Sequence, residues 1–257
     1  MKVNSVSLVY FSPTHTTQRA ARAIAKGSGL PLGAEYDFTT PRQRGNSPCF
    51  DENTLVIVGV PVYAGRIPTL CVDYIDGLRG QNTPCVLLAV YGNRDYDHAL
   101  IELYARLRPN GFLPMACGMF IGEHSYNSQV AQGRPNEADL AQAEDFGRSV
   151  MEKIQRGEEA LKIFDLLKTP AGKKGVAPVV SEKCVNCGTC AAACPTGAIN
   201  PSNIKDIDAS KCIVCRACAK FCPEGAIDFS EESGVPAGGR GCLERFGKPD
   251  KENKVLL

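Results

Sequence analysis

Eight cysteines carry the chemistry of this chain. They fall in two runs: Cys184, Cys187, Cys190 and Cys194 followed by Pro195, then Cys212, Cys215, Cys218 and Cys222 followed by Pro223. Each run reads C-x2-C-x2-C-x3-C-P. A cubane cluster offers one coordination site on each of its four irons, and thiolate is the ligand that suits iron–sulfur. Cysteines at every third residue of a tight loop wrap three corners of one cube. The fourth ligand must then come from outside that loop. The text between the cysteines repeats as well, VNCGTCAAACPTGAI against IVCRACAKFCPEGAI. Such a repeat means two similar half-units packed together. Structural zinc and disulfides are the competing uses of cysteine. Zinc sites usually pair C-x2-C units across a longer insert rather than running four cysteines together. The spacing therefore predicts two [4Fe–4S] clusters.

The double run resembles that of the bacterial ferredoxins that hold two such clusters. The resemblance implies that the last cysteine of each run ligates the other cluster. Cys184, Cys187, Cys190 and Cys222 would hold one cluster; Cys212, Cys215, Cys218 and Cys194 would hold the second. Crossed ligands tie the halves together, so cluster binding should be inseparable from folding of this part.

The remaining composition bounds the rest. The chain has 257 residues, 44% apolar and 22% charged, with a net charge of +1. That is the balance of a globular protein with room for one large domain and a smaller one. Charge is near-balanced in both halves, so no electrostatic footprint for nucleic acid or an anionic membrane is present. No stretch is apolar for long enough to span a bilayer. The opening MKVNSVSLVYF lacks the cleavage site of a signal peptide and reads as a buried first strand. Of thirteen cysteines, Cys49, Cys71, Cys85, Cys117 and Cys242 stand apart with no metal spacing and read as buried or incidental thiols. Cysteine usage points to a reducing cytoplasm, and the clusters would suit an anaerobic cell.

Ahead of the cysteines the pattern alternates between strands and helices. Strands are expected at 3–11, 34–38, 54–60, 84–91 and 113–122, and helices at 17–26, 69–79, 96–108 and 136–156. The middle strands, TLVIVGV and PCVLLAVY, are almost wholly apolar, as strands covered on both faces should be. The expected fold is α/β, a doubly wound parallel sheet with helices on both faces. It occupies 1–156. A linker follows at 157–180, beginning as a possible short helix (ALKIFDLLK) and ending in TPAGKKGVAP. A small α+β cluster domain covers 181–230. The tail 231–257 starts rich in Gly and Pro and is expected to be loose.

Ligands of such a sheet bind outside the carboxyl ends of its strands. Three loops lie there. In the first, Ser12, Thr14, Thr16 and Thr17 offer hydroxyls beside free N–H groups at a helix start, which can hold a phosphate. The bland reading is a helix cap. In the other two, Tyr63, Tyr91 and Tyr96 could sandwich a flat ring, with Gly65 and Gly92 permitting close backbone approach.

With these loops the first 155 residues resemble a flavodoxin-type FMN domain, and the whole chain resembles the flavodoxin–ferredoxin fusion proteins of anaerobic bacteria and archaea. The resemblance implies FMN phosphate on Ser12, Thr14, His15, Thr16 and Thr17. It implies the isoalloxazine between Pro61, Val62, Tyr63, Ala64, Gly65 and Arg66 on one side and Tyr91, Gly92, Asn93, Arg94 and Tyr96 on the other. A loop carbonyl that meets flavin N5 is matched loosely by Ala64 and Gly65. His15 departs from the pattern, which usually has Gly there; it either weakens FMN binding or adds a phosphate contact. Arg66 and Arg94 either reach the ring or a substrate, or form structural ion pairs. His98 and His124 read as structural.

The expected function is electron transfer between a low-potential redox partner protein, the two clusters and FMN. No GxGxxG follows a strand, which disfavours direct use of NAD(P)H. Two other readings stand beside it: an FMN-dependent reductase of a small substrate fed by its clusters, and a ferredoxin with an empty flavodoxin-like docking domain. A homodimer, with electrons crossing between subunits, is compatible with the sequence.

Overall fold

The computed structural model describes residues 2–45, 47–162, 176–230, 246–247 and 250–257. Strand β1 (Ser5–Tyr10) leads into helix α1 (Thr16–Gly27), then β2 (Leu32–Asp37), a two-residue β3 (Cys49–Phe50) and β4 (Thr54–Pro61). Helix α2 (Val72–Gly77), a short β5 (Arg79–Gly80), β6 (Thr83–Tyr91), α3 (Ala99–Leu107), β7 (Phe112–Ile121) and α4 (Glu137–Gln155) follow. The cluster half contains β8 (Val179–Val180), α5 (Thr189–Ala192), α6 (Ala217–Lys220) and β9 (Ile227–Asp228), and the chain ends in β10 (Lys254–Leu256).

The main sheet runs β10-β7-β6-β4-β1-β2. All pairings from β2 to β7 are parallel. Taken in chain order, these five strands are arranged 2-1-3-4-5, the doubly wound flavodoxin-like order. The apolar strands explain this placement: β6 is buried along its whole length and β4 at every residue after Thr54, as in a sheet covered on both faces. One face packs Val9, Val58 and Leu87 with Ile75 and Leu103 of α2 and α3. The other packs Leu8, Ile57 and Leu88 with Ile24 of α1 and Val150 of α4.

The α1–α4 contact depends on two glycines. A Cβ at Gly27 would lie 1.9 Å from the Glu144 carbonyl oxygen, and one at Gly147 would lie 2.1 Å from that of Ile24.

Among the differences from the sequence expectation, two bear on the architecture. The expected helix over 69–79 is a 3-10 turn at Thr69–Cys71 followed by the short α2. The expected loose tail is corrected at its end. Strand β10 adds antiparallel to β7 with Val255 opposite Gly118. An edge strand offers a row of unpaired N–H and C=O groups, and backbone pairing needs no apolar signal in the added strand. Composition therefore could not reveal it. Most of the possible short helix at 160–168 lies outside the described residues. At its start, the Leu161 amide donates to the Pro114 carbonyl at 2.7 Å.

Candidate functional site

The two cysteine loops fold alike. Asn186 and Gly188 in the first, and Val214 and Arg216 in the second, all have φ between 56° and 77°. This left-handed pairing curls each loop into a tight turn. At each C-P-x-G-A turn a glycine, Gly197 or Gly225, also takes positive φ. The next amide then returns to the last cysteine: Ala198 N–H donates to Cys194 Sγ at 3.3 Å, and Ala226 N–H donates to Cys222 Sγ at 3.3 Å.

One cavity is lined by Cys184, Cys187, Cys190 and Cys222 together, with Val185 and Ile204 in its wall. Three thiols come from the first run and one from the end of the second. On the other side, Cys194 lies within electrostatic reach of Cys212, Cys215 and Cys218. The donor set fits two cubane clusters with crossed fourth ligands. Among the described residues no three His, Cys, Asp or Glu side chains converge on a single ion.

The loop after β1 opens α1 with His15, whose φ is 64°. That conformation accounts for the glycine usual at this place. The Ser12 hydroxyl is committed to the helix: it accepts from the Gln18 amide at 3.0 Å. The Ser12 amide donates to Thr39 Oγ1 at 2.8 Å. The Thr16 and Thr17 amides are the first two of the helix and have no intrahelical acceptor. Thr17 is fully buried, and its hydroxyl has no hydrogen-bond partner among the described residues. An orphaned hydroxyl beside free N–H groups at the positive end of a 12-residue helix suits a phosphate.

The ring loops are packed more tightly than the sequence implied. Tyr63 to Arg66 form a turn closed by Arg66 N–H to the Tyr63 carbonyl at 3.1 Å, with positive φ at Ala64 and Gly65. A Cβ on Gly65 would lie 2.5 Å from Asp97 Oδ2, and one on Gly92 would lie 2.7 Å from the His124 ring. Those faces are thus taken by side chains of this chain. Pro61 is buried at the end of β4, and the Val62 amide donates to the Val90 carbonyl at 2.8 Å. Tyr91 is buried and meets Tyr96 edge-on at 5.8 Å. Tyr63 is half-buried, within electrostatic reach of Cys215 and Tyr126.

Both arginines are in ion pairs. Arg66 Nε donates to Glu102 Oε2 at 2.7 Å, and Arg94 pairs with Asp97. Burial by itself raises the Glu102 carboxyl, but hydrogen bonds from Arg66 and Arg106 outweigh it and hold the group below its ordinary value. Asn93 is 2% exposed and turned to the C-terminal segment: Nδ2 donates to the Phe246 carbonyl at 2.6 Å, and Oδ1 accepts from the Lys251 amide at 2.7 Å. His124 stacks on Phe246 and accepts at Nδ1 from the Tyr126 amide at 3.1 Å. Burial pushes its imidazole down, aided by Arg216 and Arg94. His98 precedes α3 without a side-chain cap. Of the isolated thiols, Cys71, Cys85 and Cys117 are buried, with burial raising all three and Cys117 to about 12. Cys49 is exposed, and Cys242 lies outside the described residues.

The cluster half meets the sheet at this same end. His15 packs against Phe221 with ring centroids 5.3 Å apart. Arg44 donates to the Pro195 carbonyl. Lys220 Nζ bridges to Glu123 Oε1 at 2.8 Å. Sequence reasoning did not pick out Arg44, Glu123, Phe221 or Phe246, because each is defined only by a contact across long sequence separation. Arg216 did leave a signal: it stands where the first half of the repeat has Gly188.

A family model for a 4Fe-4S dicluster domain matches residues 183–227. No curated protein matches the chain. Solved structures similar to the first part include a flavodoxin from the domain Archaea, 17% identical, covering 59% of this chain and 99% of its own length with a TM-score of 0.41. A Streptococcus pneumonia TIGR4 flavodoxin is 16% identical over 58% of this chain and 99% of its own, TM-score 0.41. A WrbA-like flavodoxin from Agrobacterium tumefaciens is 17% identical over 60% of this chain and 98% of its own, TM-score 0.39. The strand order defines the N-terminal fold, and the matched cysteine runs define the C-terminal one: a flavodoxin-like sheet joined to a 4Fe-4S dicluster domain. No helix among the described residues is long and apolar enough to cross a membrane.

Proposed function

We propose that this chain is an electron-transfer flavo-iron–sulfur protein that carries two [4Fe–4S] clusters and FMN and exchanges electrons with a low-potential redox partner in the cytoplasm. The observation that carries the reading is the meeting of both candidate sites at one end of the sheet. Cys215 of the second cysteine run lies within electrostatic reach of Tyr63 in a ring loop, while His15 of the phosphate loop packs on Phe221 beside Cys222.

Thr14, Thr16 and Thr17 with the amides of α1 would hold the phosphate, and Tyr63 would border the ring. Bound there, FMN takes two electrons and gives them up singly, whereas each cluster passes one at a time. The buried Cys215 and the partly buried Phe221 would limit access of water to this end of the path. The first cluster's loop faces outward, with Cys187 exposed and Val185 64% exposed. A partner protein would approach there, leaving the second cluster next to the flavin end.

The packing of Asp97 over Gly65 and of His124 over Gly92 favours one other reading, a ferredoxin whose flavodoxin-like domain is an empty docking module. Cofactor content on anaerobically purified protein separates the two. About eight irons per chain, four for each cluster, with one FMN is the expected result. Full iron with no flavin after incubation with FMN would establish the empty module instead.

A further inference from the structure

Arg216 is placed at a cost that its repeat partner avoids. It precedes α6 with φ 60°, in the left-handed conformation that Gly188 adopts in the first half at φ 77°. A non-glycine residue is strained there, so the first half shows what the loop needs and the second shows something added. The added side chain is 9% exposed. One edge of its guanidinium is accounted for: Nη2 donates to Asp228 Oδ1 at 2.6 Å, and the group sits over the Phe229 ring at 5.6 Å. Nη1 is buried without a hydrogen-bond partner among the described residues. A buried, unpartnered N–H on a cation is costly unless a ligand completes it.

The setting indicates which ligand. Arg216 adjoins Cys215, which reaches Tyr63 electrostatically. At the far end of α6, Lys220 is anchored to Glu123, and the next residue, His124, is within electrostatic reach of Arg216. His124 in turn covers Gly92 of a ring loop and meets Tyr126 edge-on at 5.5 Å. Residues on both sides of the candidate flavin end thus converge on the part of the cluster domain that carries Arg216.

We infer that Arg216, supplied by the cluster domain, completes the flavin site and stabilises the negative charge that FMN acquires on reduction. The inference rests on the flavin reading above. Neutral oxidised flavin gains a net negative charge when it takes two electrons and one proton. A guanidinium held in place before the electrons arrive favours that product over the oxidised ring. The electrons would come from the two clusters, one from each, after their reduction by the partner protein, and the proton would come from water. Cation placement of this kind would make the flavin the electron sink of the chain, with reduced FMN bound more tightly than oxidised.

Arg216→Gly gives a test that the fold should tolerate, since Gly188 shows that the loop closes without the side chain. The measurement is the potential of each flavin and cluster step on the full chain, together with dissociation constants for oxidised and reduced FMN. In Arg216→Gly and Arg216→Gln, iron should stay at the wild-type level while the ratio of reduced to oxidised dissociation constants rises by roughly tenfold or more. Arg216→Lys should recover part of the shift. Full iron with an unchanged ratio in both variants would overturn the inference. A cluster potential that moves while the flavin does not would overturn it too, by assigning Arg216 to the cluster. Wild-type protein that takes up no FMN fails the parent reading, and this failure is visible before any variant is made.

Discussion

At the residue scale, the ring loops hold two arginines whose type fits two different kinds of work. Arg66 and Arg94 stand in a loop pattern that fits ligand contact as well as ion pairing, and nothing local distinguishes the two. The deciding residue for Arg66 is Glu102, on α3, with its side chain only 4% exposed. Arg66→Leu leaves that buried carboxylate with Arg106, which pairs at 3.2 Å. Removing one partner of a buried pair is destabilising by about 3 kcal/mol; the remaining arginine should hold the loss nearer ~2 kcal/mol. The loss would appear as faster amide exchange along β6, which reports opening of the sheet. The pH dependence has a definite sign. Glu102 is held below its ordinary value of 4.5, so its contribution is present above that pH and is lost as pH falls through the depressed folded value. The gap between wild type and Arg66→Leu should therefore shrink in acid. A gap that is constant with pH would mean that the carboxylate is not the cause. The cysteines are the opposite case: their spacing groups Cys184, Cys187 and Cys190, the ferredoxin resemblance adds Cys222, and one cavity is lined by all four.

At the element scale, the parallel strands were legible because burial on both faces leaves continuous apolar runs, and TLVIVGV and PCVLLAVY are such runs. Strand β10 was not legible. Its residues Lys254, Val255 and Leu256 are all exposed, so no burial pattern marks them. What holds them is the polar residue before them. Asn253 is 8% exposed; its Oδ1 accepts from the Ile121 amide at 2.7 Å, and its Nδ2 donates to Asp139 Oδ1 at 2.8 Å and Gln142 Oε1 at 2.9 Å. One side chain thus joins the end of β7 to the first turns of α4. Asn253→Ala strands the Ile121 amide, and a buried donor left unsatisfied costs about 1–3 kcal/mol. Each 1.4 kcal/mol is a factor of ten, so exchange of the Ile121 amide should accelerate by roughly tenfold or more if the open state is unchanged. Exchange at wild-type rates would show that β10 is a surface adornment. The loop at Asn93, tied to Phe246 and Lys251, should loosen in the same variant, since the segment that holds it loses its anchor.

At the scale of the whole molecule, the two halves are stabilised by different means. The sheet has two apolar cores, one on each face, built from large aliphatic and aromatic side chains. Among the described residues the cluster half has one small core, made of Ala198, Ile199, Ile204 and Ile227 together with Cys190 and Cys194, with Val180, Ala191, Ile207, Cys184, Cys212 and Cys218 packed at its edge. Its core is therefore built in part from its own ligand set. A domain of that size buries too little apolar surface to offset chain entropy unaided and relies on a metal group or a cross-link. In such domains metal binding is folding free energy. Stripping iron with a chelator under reducing conditions should accordingly abolish amide protection from about 181 to 229 while leaving β1, β4 and β6 protected. Docking contacts such as Lys220 with Glu123, Arg44 with Pro195, His15 with Phe221 and Ile213 against the sheet's apolar core hold the cluster half to the sheet rather than in shape. An exposed ion pair adds about 0–1 kcal/mol. If the iron-free protein kept protection around Ala198 and Ile227, apolar packing and docking would be sufficient, and the clusters would be guests in a preformed fold. If protection were lost in the sheet as well, the halves would be one cooperative unit. The sheet's two cores are built from aliphatic and aromatic side chains that need no iron, which argues for an intact sheet beside an unfolded cluster half.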